Sequence, residues 1–309
     1  PSPPEVREKK RSCTVSIEES SQFASALLLC AKTGNWEIKI RGENADESPY
    51  VAMTSELIKV FPNQGGTFQI EPDASSGSYF WAVNPILPLF ELHFDEEKLV
   101  VPYEKPVNWK KDIDKPLHRW PFLIVPHGSG KSWSVFEHAC IYVSKWPKSN
   151  WQIDAAFPQA LGPKASISRK DDLGDSIMTS IVIAPIVGPS KFTDLARLRV
   201  QECERVVALR TELTKCGAKV IEEGDTLTVY PSKLHGAEIE TYNDHRMAMC
   251  FAILGLKVPG VKIKNPSCVK KTFPNFFQKL AAAPPHGLGA KILDGKTGRE
   301  LSHEELFAD

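Results

Sequence analysis

Short strand-like and helix-like pieces alternate through most of this chain, and that alternation constrains its fold more than any other feature. SSQFASALLLCA, WEIKIRG, SPYVAMTSELIKVF with Pro49 at a helix start, and TFQIEPD follow one another near the beginning. The rhythm returns as DSIMTSIVIAPIV, a helical RVQECERVVALRTELTKCG ended by Gly217, the hairpin AKVIEEGDTLTVYP turning at Gly224 and Asp225, the DHRMAM helix and a strand in VKIKN. Such text predicts an α/β class with very short strands and one unit used repeatedly.

Between these stretches, at about residues 82–150, periodicity is poor. The segment is rich in Pro, carries Trp109, Trp120, Trp133 and Trp146 with Trp151 at its edge, and includes the charged VNWKKDIDKPLHRW. It reads as an insertion with its own small hairpins. HGSGKS at 127–132 suggests a phosphate loop, but Val125 stands where the first glycine of that motif is required, so a plain Gly/Ser turn fits better. PSPPEVREKK at the start reads as a linker or a cut edge.

Composition matters mainly for what it excludes. With 309 residues, 42% hydrophobic and 25% charged, the chain can bury a sizeable core and is no disordered tail. Lys+Arg and Asp+Glu are 38 each, so no global field favours nucleic acid or anionic membrane, and an anion site must be local. No apolar run approaches the roughly 18 residues of a membrane span, and no signal peptide is visible. The seven Cys (13, 30, 140, 203, 216, 250 and 268) are odd in number and form no CxxC pair, which suits reduced thiols in a cytoplasmic compartment.

The most informative chemistry lies in TYNDHRMAM, residues 241–249. Asp244 fits an N-cap, and Met247, Phe251 and Leu254 recur at helical spacing. His245 and Arg246 therefore fall on a first turn, where free N–H groups and the helix dipole attract anions. The plainer reading is that Arg246 pairs with Asp244 at a helix end. Ser20-Ser21-Gln22, Asp73 to Ser76 and Asp175 are further polar helix starts; spacing alone does not say whether they face one cleft.

SSQFASALLL, DASSGSYF, DSIMT, RVQECER, TYNDHRMAMCF and KKTFPNFF occur in the order found in the 5-enolpyruvylshikimate-3-phosphate synthases, and the chain resembles that family over about residues 20–280. The resemblance implies an enolpyruvyl transferase fold: a two-domain, inside-out α/β barrel of βαβαββ repeats with the reaction in the cleft between domains. Phosphoenolpyruvate would donate its enolpyruvyl group to the 5-hydroxyl of shikimate 3-phosphate, releasing phosphate. By the same resemblance Asp175 faces the accepting hydroxyl, Glu202 exchanges a proton with the methylene carbon, and Lys271 meets the departing phosphate. Arg205 and Arg246 clamp the phosphoenolpyruvate carboxylate, while Ser20, Ser21, Gln22 and Tyr50 hold shikimate 3-phosphate. His245 is expected to pack or orient. No cofactor and no metal is called for. Read without the resemblance, Asp175 is a helix cap and Glu202 a surface partner of Arg205 or Arg199.

Some positions depart from the family pattern. Gln201 stands where a Lys usually contacts both substrates, Glu47 where a Ser is common, and Arg197 where an Asn usually contacts the sugar acid; the glutamine-containing phosphate segment is faint, as SNWQID at 149–154. The match implies that residues 1–71 are the last repeat of an N-terminal domain, with about 150 residues of that domain lacking a counterpart here. Residues 72–283 would form the C-terminal domain around the insertion, and 284–309 an extension. A separate N-terminal segment completing the site is the expected partner, and the helices of the 1–71 remnant should expose apolar surface. The competing expectations are an inactive binding module of the same fold, or an amino-sugar enolpyruvyl transferase.

Overall fold

The computed structural model describes residues 11–18, 20–42, 48–62, 64–86, 90–95, 122–127, 132–137, 141, 143–161, 165–284 and 286–309. Most of HGSGKS, the opening PSPPEVREKK, Glu47 and much of the expected insertion lie outside these residues.

The first unit alternates as read. Strand β1 (Arg11–Ser16) and β2 (Trp36–Arg41) pair in parallel across helix α1 (Ser21–Ala31), and α2 (Ser48–Val60) follows. TFQIEPD joins no strand ladder; it runs as a connection into α3 (Ala74–Trp81). It is tied by side chains: Gln152 Oε1 accepts from Ala74 N (2.8 Å) while its Nε2 donates to the Pro72 carbonyl (2.9 Å). Among the described residues this first unit has a core of Ile17, Ala24 and Val51, with Val15 and Leu28 against it. Apolar side chains stand open around that core, as expected: Phe23 is 67% exposed, Leu29 57%, Phe61 47% and Ile70 64%.

Strands β3 (Phe90–Asp95), β4 (Phe122–His127) and β5 (Ser132–Glu137) form an antiparallel sheet in the order β3-β5-β4. Asn84, ahead of β3, both donates by its side chain to the Ile141 carbonyl and accepts from the Ile141 N–H, after β5. After it the short α4 (Phe157–Ala160) returns the chain to the main core.

One complete β-α-β-α-β-β run follows: β6 (Ser166–Ser168), α5 (Ile177–Val187), β7 (Ser190–Thr193), α6 (Arg205–Lys215), β8 (Lys219–Glu223) and β9 (Thr226–Tyr230). The sheet order is β6-β7-β9-β8, with β6 and β7 parallel and the β8–β9 hairpin antiparallel. Helix α5 is apolar apart from Thr179 and Ser180, and Ile177 to Pro185 are all buried; it is the axis of the core. Helix α6 begins at Arg205, later than the helical reading of RVQECER implies. Residues Ala196–Val200 form a 3-10 turn, and Glu204 stops helix growth upstream by accepting from Val207 N at 2.6 Å as the cap. At its far end Gly217 adopts φ +87° and Ala218 N donates to the Leu213 carbonyl, a left-handed stop that glycine makes without strain.

The last unit is β10 (Glu238–Ile239), α7 (His245–Gly255) and β11 (Lys262–Ile263), with β10 and β11 parallel, then a 3-10 turn at Pro266–Lys271 and α8 (Phe276–Ala281). Residues 284–309 fold back onto this region: Leu306 and Ala308 enter the main core, and Ala308 N donates to the Pro274 carbonyl. No helix among the described residues is long and apolar enough to cross a membrane.

Candidate active site

The helix starts converge. Asp73 caps α3 by accepting from Ser75 N and Ser76 N, and Asp244 caps α7 by accepting from Arg246 N at 2.8 Å. Arg246 Nη1 then donates to Ser75 Oγ at 2.8 Å, which brings the two first turns together. Asp175 stands just ahead of α5, with Oδ2 3.5 Å from Arg246 Nε and 3.7 Å from Arg205 Nη1. Tyr50 joins from α2: a Cβ placed on Gly174 would lie 3.1 Å from its hydroxyl. Burial, then Asp175 and Asp154, push that hydroxyl's pKa well up, so it is a neutral donor. Helix α1, capped by Ser20, is linked to this group through α2, since Ser25 Oγ lies 2.9 Å from Thr54 Oγ1, which in turn donates to the Tyr50 carbonyl. Ser21 is buried and Gln22 exposed on that first turn.

Asp175 is not the helix cap; Ser176 holds that position. Its carboxylate is instead a hub for cations, with Arg169 Nη2 donating to Oδ1 at 2.8 Å and Gln201 Nε2 at 3.4 Å from the same oxygen. Burial raises the pKa of this group, but Arg246, Arg169 and Arg205 outweigh it and hold the carboxyl far below the ordinary range. Asp154 grips the backbone on both sides: its Oδ1 accepts from Gly174 N (2.8 Å), Ser176 N (3.2 Å) and Ser176 Oγ (2.5 Å).

The second carboxylate is Glu202. Neither Arg199 nor Arg205 is its ion-pair partner; Lys271 Nζ meets Oε1 at 2.5 Å and His245 Nδ1 meets Oε2 at 3.0 Å. Burial lowers the His245 pKa despite the nearby Glu202, so a neutral ring donates its Nδ1–H to the carboxylate. Arg199 is occupied elsewhere, donating to Glu204, Glu222 and Asp225 and so tying RVQECER to the β8–β9 hairpin. Arg205, the expected clamp, is buried and donates Nε to Asp244 Oδ2 at 2.6 Å and Nη1 to Gln201 Oε1. The plainer pairing of Asp244 with Arg246 is thereby replaced by one with Arg205. Arg197 is half-buried on the 3-10 turn Ala196–Val200. Lys270, beside Lys271, is exposed and donates to the Asp309 carbonyl at 2.7 Å.

Glu202, Asp244 and His245 bring ligand-type atoms within 4.8 Å of one another. Arg205 and Lys271 already neutralise the two carboxylates of that trio, so its charge is satisfied by side chains. The approach to Asp244 is strained: Tyr242 and Asn243 both have positive φ, at 53° and 57°. Such strain clusters at functional sites. Arg169 and Asp154 were not foreseen. Arg169 lies in SRKDDLGD, a turn without periodicity, and Asp154 in a segment whose register was obscured by the insertion. Described cysteines 13, 30, 203, 216, 250 and 268 are free thiols.

Residues 169–280 match the family described as EPSP synthase (3-phosphoshikimate 1-carboxyvinyltransferase). A 3-phosphoshikimate 1-carboxyvinyltransferase of Aeromonas salmonicida (strain A449) is 32% identical over 287 residues, 85% of this chain and 59% of that protein. One of Sodalis glossinidius (strain morsitans) is 33% identical over 301 residues, 88% of this chain and 62% of that protein. The chain thus spans 59% and 62% of these curated relatives' lengths. A solved EPSP synthase from Acinetobacter baumannii is similar at 17% identity and TM-score 0.49, covering 88% of this chain and 62% of that one. The stretch that holds both carboxylates, their arginines and Lys271 is the one that matches the EPSP synthase family, and the chain around it is similar to curated proteins of that name.

Proposed function

We propose that this chain forms one wall of an enolpyruvyl transferase site that moves the enolpyruvyl group of phosphoenolpyruvate to the 5-hydroxyl of shikimate 3-phosphate. The observation that carries this reading is the pair of carboxylates, Asp175 and Glu202, each set against cations at converging helix starts. Arg205 and Arg246 bind the phosphoenolpyruvate carboxylate, and Lys271 the phosphate that leaves. Ser20, Ser21, Gln22, Tyr50, Arg197 and Gln201 hold the sugar acid. Its hydroxyl gives its proton to Asp175 as the oxygen attacks C2, while Glu202 relays a proton from Lys271 Nζ to the methylene carbon. Glu202 then takes a proton back from that carbon and returns it to Lys271 as phosphate departs, which restores the double bond, and the proton on Asp175 leaves with the phosphate.

Charge explains how Asp175 becomes a base. Three guanidinium groups keep it ionised and weakly basic. A carboxylate bound to Arg205 and Arg246 offsets their charge, which raises the affinity of Asp175 for a proton. Donor binding thereby prepares the acceptor's base.

The same balance favours a second reading, a catalytically inactive binding module of the same fold. Arg169 and Arg246 face Asp175, Arg205 faces Asp244, and Lys271 faces Glu202, so the cations of this wall are already engaged. A separate segment bringing further Lys and Arg, and covering Phe23, Leu29 and Phe61, would complete the enolpyruvyl transferase fold. Phosphate release with both substrates, for the chain alone and with an N-terminal half of a relative added, separates the readings. Turnover only in the mixture supports the transferase. Phosphoenolpyruvate binding without release in the mixture supports the module.

A further inference from the structure

We infer that Arg169 is a positioning residue for Asp175: it anchors Oδ1 and turns Oδ2 toward the ligand side of the site. The inference rests on the reading of Asp175 as the group that meets the accepting hydroxyl. Its geometry is built from the sheet outward. Arg169 follows β6, and its own N–H donates to the Thr193 carbonyl at 3.1 Å, which pins its backbone at the end of β7. The turn after it is closed by Ser168, whose carbonyl accepts from Asp172 N and Leu173 N and whose N–H donates to Asp172 Oδ2 at 2.8 Å. From this fixed base the side chain, only 3% exposed with its residue, runs inward and donates Nη2 to Asp175 Oδ1 at 2.8 Å.

The two oxygens of Asp175 are thereby made unequal. Oδ1 is taken by Arg169 and lies 3.4 Å from Gln201 Nε2. Oδ2 faces Arg246 at 3.5 Å and Arg205 at 3.7 Å, beyond good hydrogen-bond length, so it retains room for a ligand hydroxyl. The peptide on either side is clamped by Asp154, which leaves the carboxylate's rotation as the remaining freedom. A planar guanidinium, always charged, suits that task; the neutral amide of Gln201 does not supply the charge. The titratable and charged groups facing Asp175 are Arg169, Arg205, Arg246, Asp154 and Tyr50. Burial of Asp175 itself favours its protonation, and Arg169 acts against that background together with Arg246 and Arg205.

The test reads the carboxyl carbon of Asp175 by NMR in the full chain labelled at aspartate, with Asp175→Asn to assign the signal. This needs no turnover, so it succeeds or fails independently of the transferase reading. Arg169→Gln should raise the Asp175 midpoint by about 1–3 pH units, the effect of removing one adjacent guanidinium. Arg169→Lys should recover part of that shift. An Asp175 titration in folded Arg169→Gln that coincides with the wild type overturns the inference. If Arg169→Gln does not fold, the guanidinium protons of Arg169 serve instead: their exchange should be slow in the wild type and lose that protection in Asp175→Asn. Equal protection in both would mean that Asp175 is not what Arg169 holds. In a turning-over assembly Arg169→Gln should lower kcat on the order of 100-fold, the scale of a misplaced catalytic group, and move the acid limb of the pH profile upward. A wild-type assembly that is inactive sinks the transferase reading alone. An active one in which Arg169→Gln leaves kcat and the acid limb unmoved sinks the positioning role.

Discussion

Replacing Arg205 by Leu should destabilise the chain by about 3–5 kcal/mol at neutral pH, because it strands a buried carboxylate. The magnitude comes from the site. Arg205 and Asp244 side chains are 2% and 0% exposed and meet at 2.6 Å, so water cannot replace the lost partner. Asp244 keeps the N–H of Arg246 and its cap on α7, which places the loss toward the lower end of that range. Burial raises the Asp244 pKa, and the hydrogen bond and charge of Arg205 reverse this and hold it below the ordinary value. A carboxyl depressed in the folded state contributes stability above its unfolded pKa, about 3.9, and loses it as pH falls through the folded value. The penalty of Arg205→Leu is therefore full above about pH 5 and shrinks in acid, where the stranded Asp244 takes up a proton. Urea unfolding at pH 7 and pH 4 measures both parts, and adding Asp244→Asn should recover part of the loss. A penalty under about 1 kcal/mol at pH 7, or one that does not change with pH, would refute the reasoning.

Other outcomes follow from the same geometry. In a turning-over assembly Glu202→Gln should lower the maximal rate by roughly 100-fold or more while phosphoenolpyruvate affinity, read by calorimetry, is nearly kept. Arg246→Ala and Lys271→Ala should each weaken that affinity by roughly 2–5 kcal/mol in the closed assembly. Removing residues 303–309 takes Leu306 and Ala308 from the core and the Asp309 carbonyl from Lys270, so thermal unfolding should move down; an unchanged midpoint would make the tail dispensable.

How much of this was legible depends on whether a feature is local. The cap at Asp244 and the stop at Gly217 follow from residues a turn apart, and both stand where the pattern put them. The hairpin at Gly224 does too. TFQIEPD alternates like a strand, but among the described residues no strand pairs with it. The start of α6 failed because Glu204 can continue a helix or cap one, and only the ties from Arg199 decide. In the site, residue types were readable and partners were not. Arg205 and Asp244 are 39 apart in sequence and Arg246 and Ser75 are 171 apart, and no periodicity relates such pairs. Arg169 carried no signal at all, since an arginine in a polar turn ordinarily faces water.

The remaining prediction concerns the chain by itself: it should bind phosphoenolpyruvate or shikimate 3-phosphate weakly and turn neither over. Both ligands are polyanions, and an arriving anion must compete with Asp175, Asp244 and Glu202 for the cations that already face them. Lys271, 61% exposed, offers a pair in water worth about 0–1 kcal/mol rather than several. Additional cations from a second wall would change the sign of that balance, and closing over the site would exclude the water that screens it. The first unit is suited to receive such a wall, since Phe23, Leu29, Phe61 and Ile70 stand open beside a small core of Ile17, Ala24 and Val51 among the described residues. Adding a separately made N-terminal half of a curated relative should therefore raise solubility, protect these residues from hydrogen exchange and start phosphate release. Multiple turnovers by the purified chain alone, at a rate proportional to its concentration, would show instead that this wall's own cations suffice and that the charge argument is wrong.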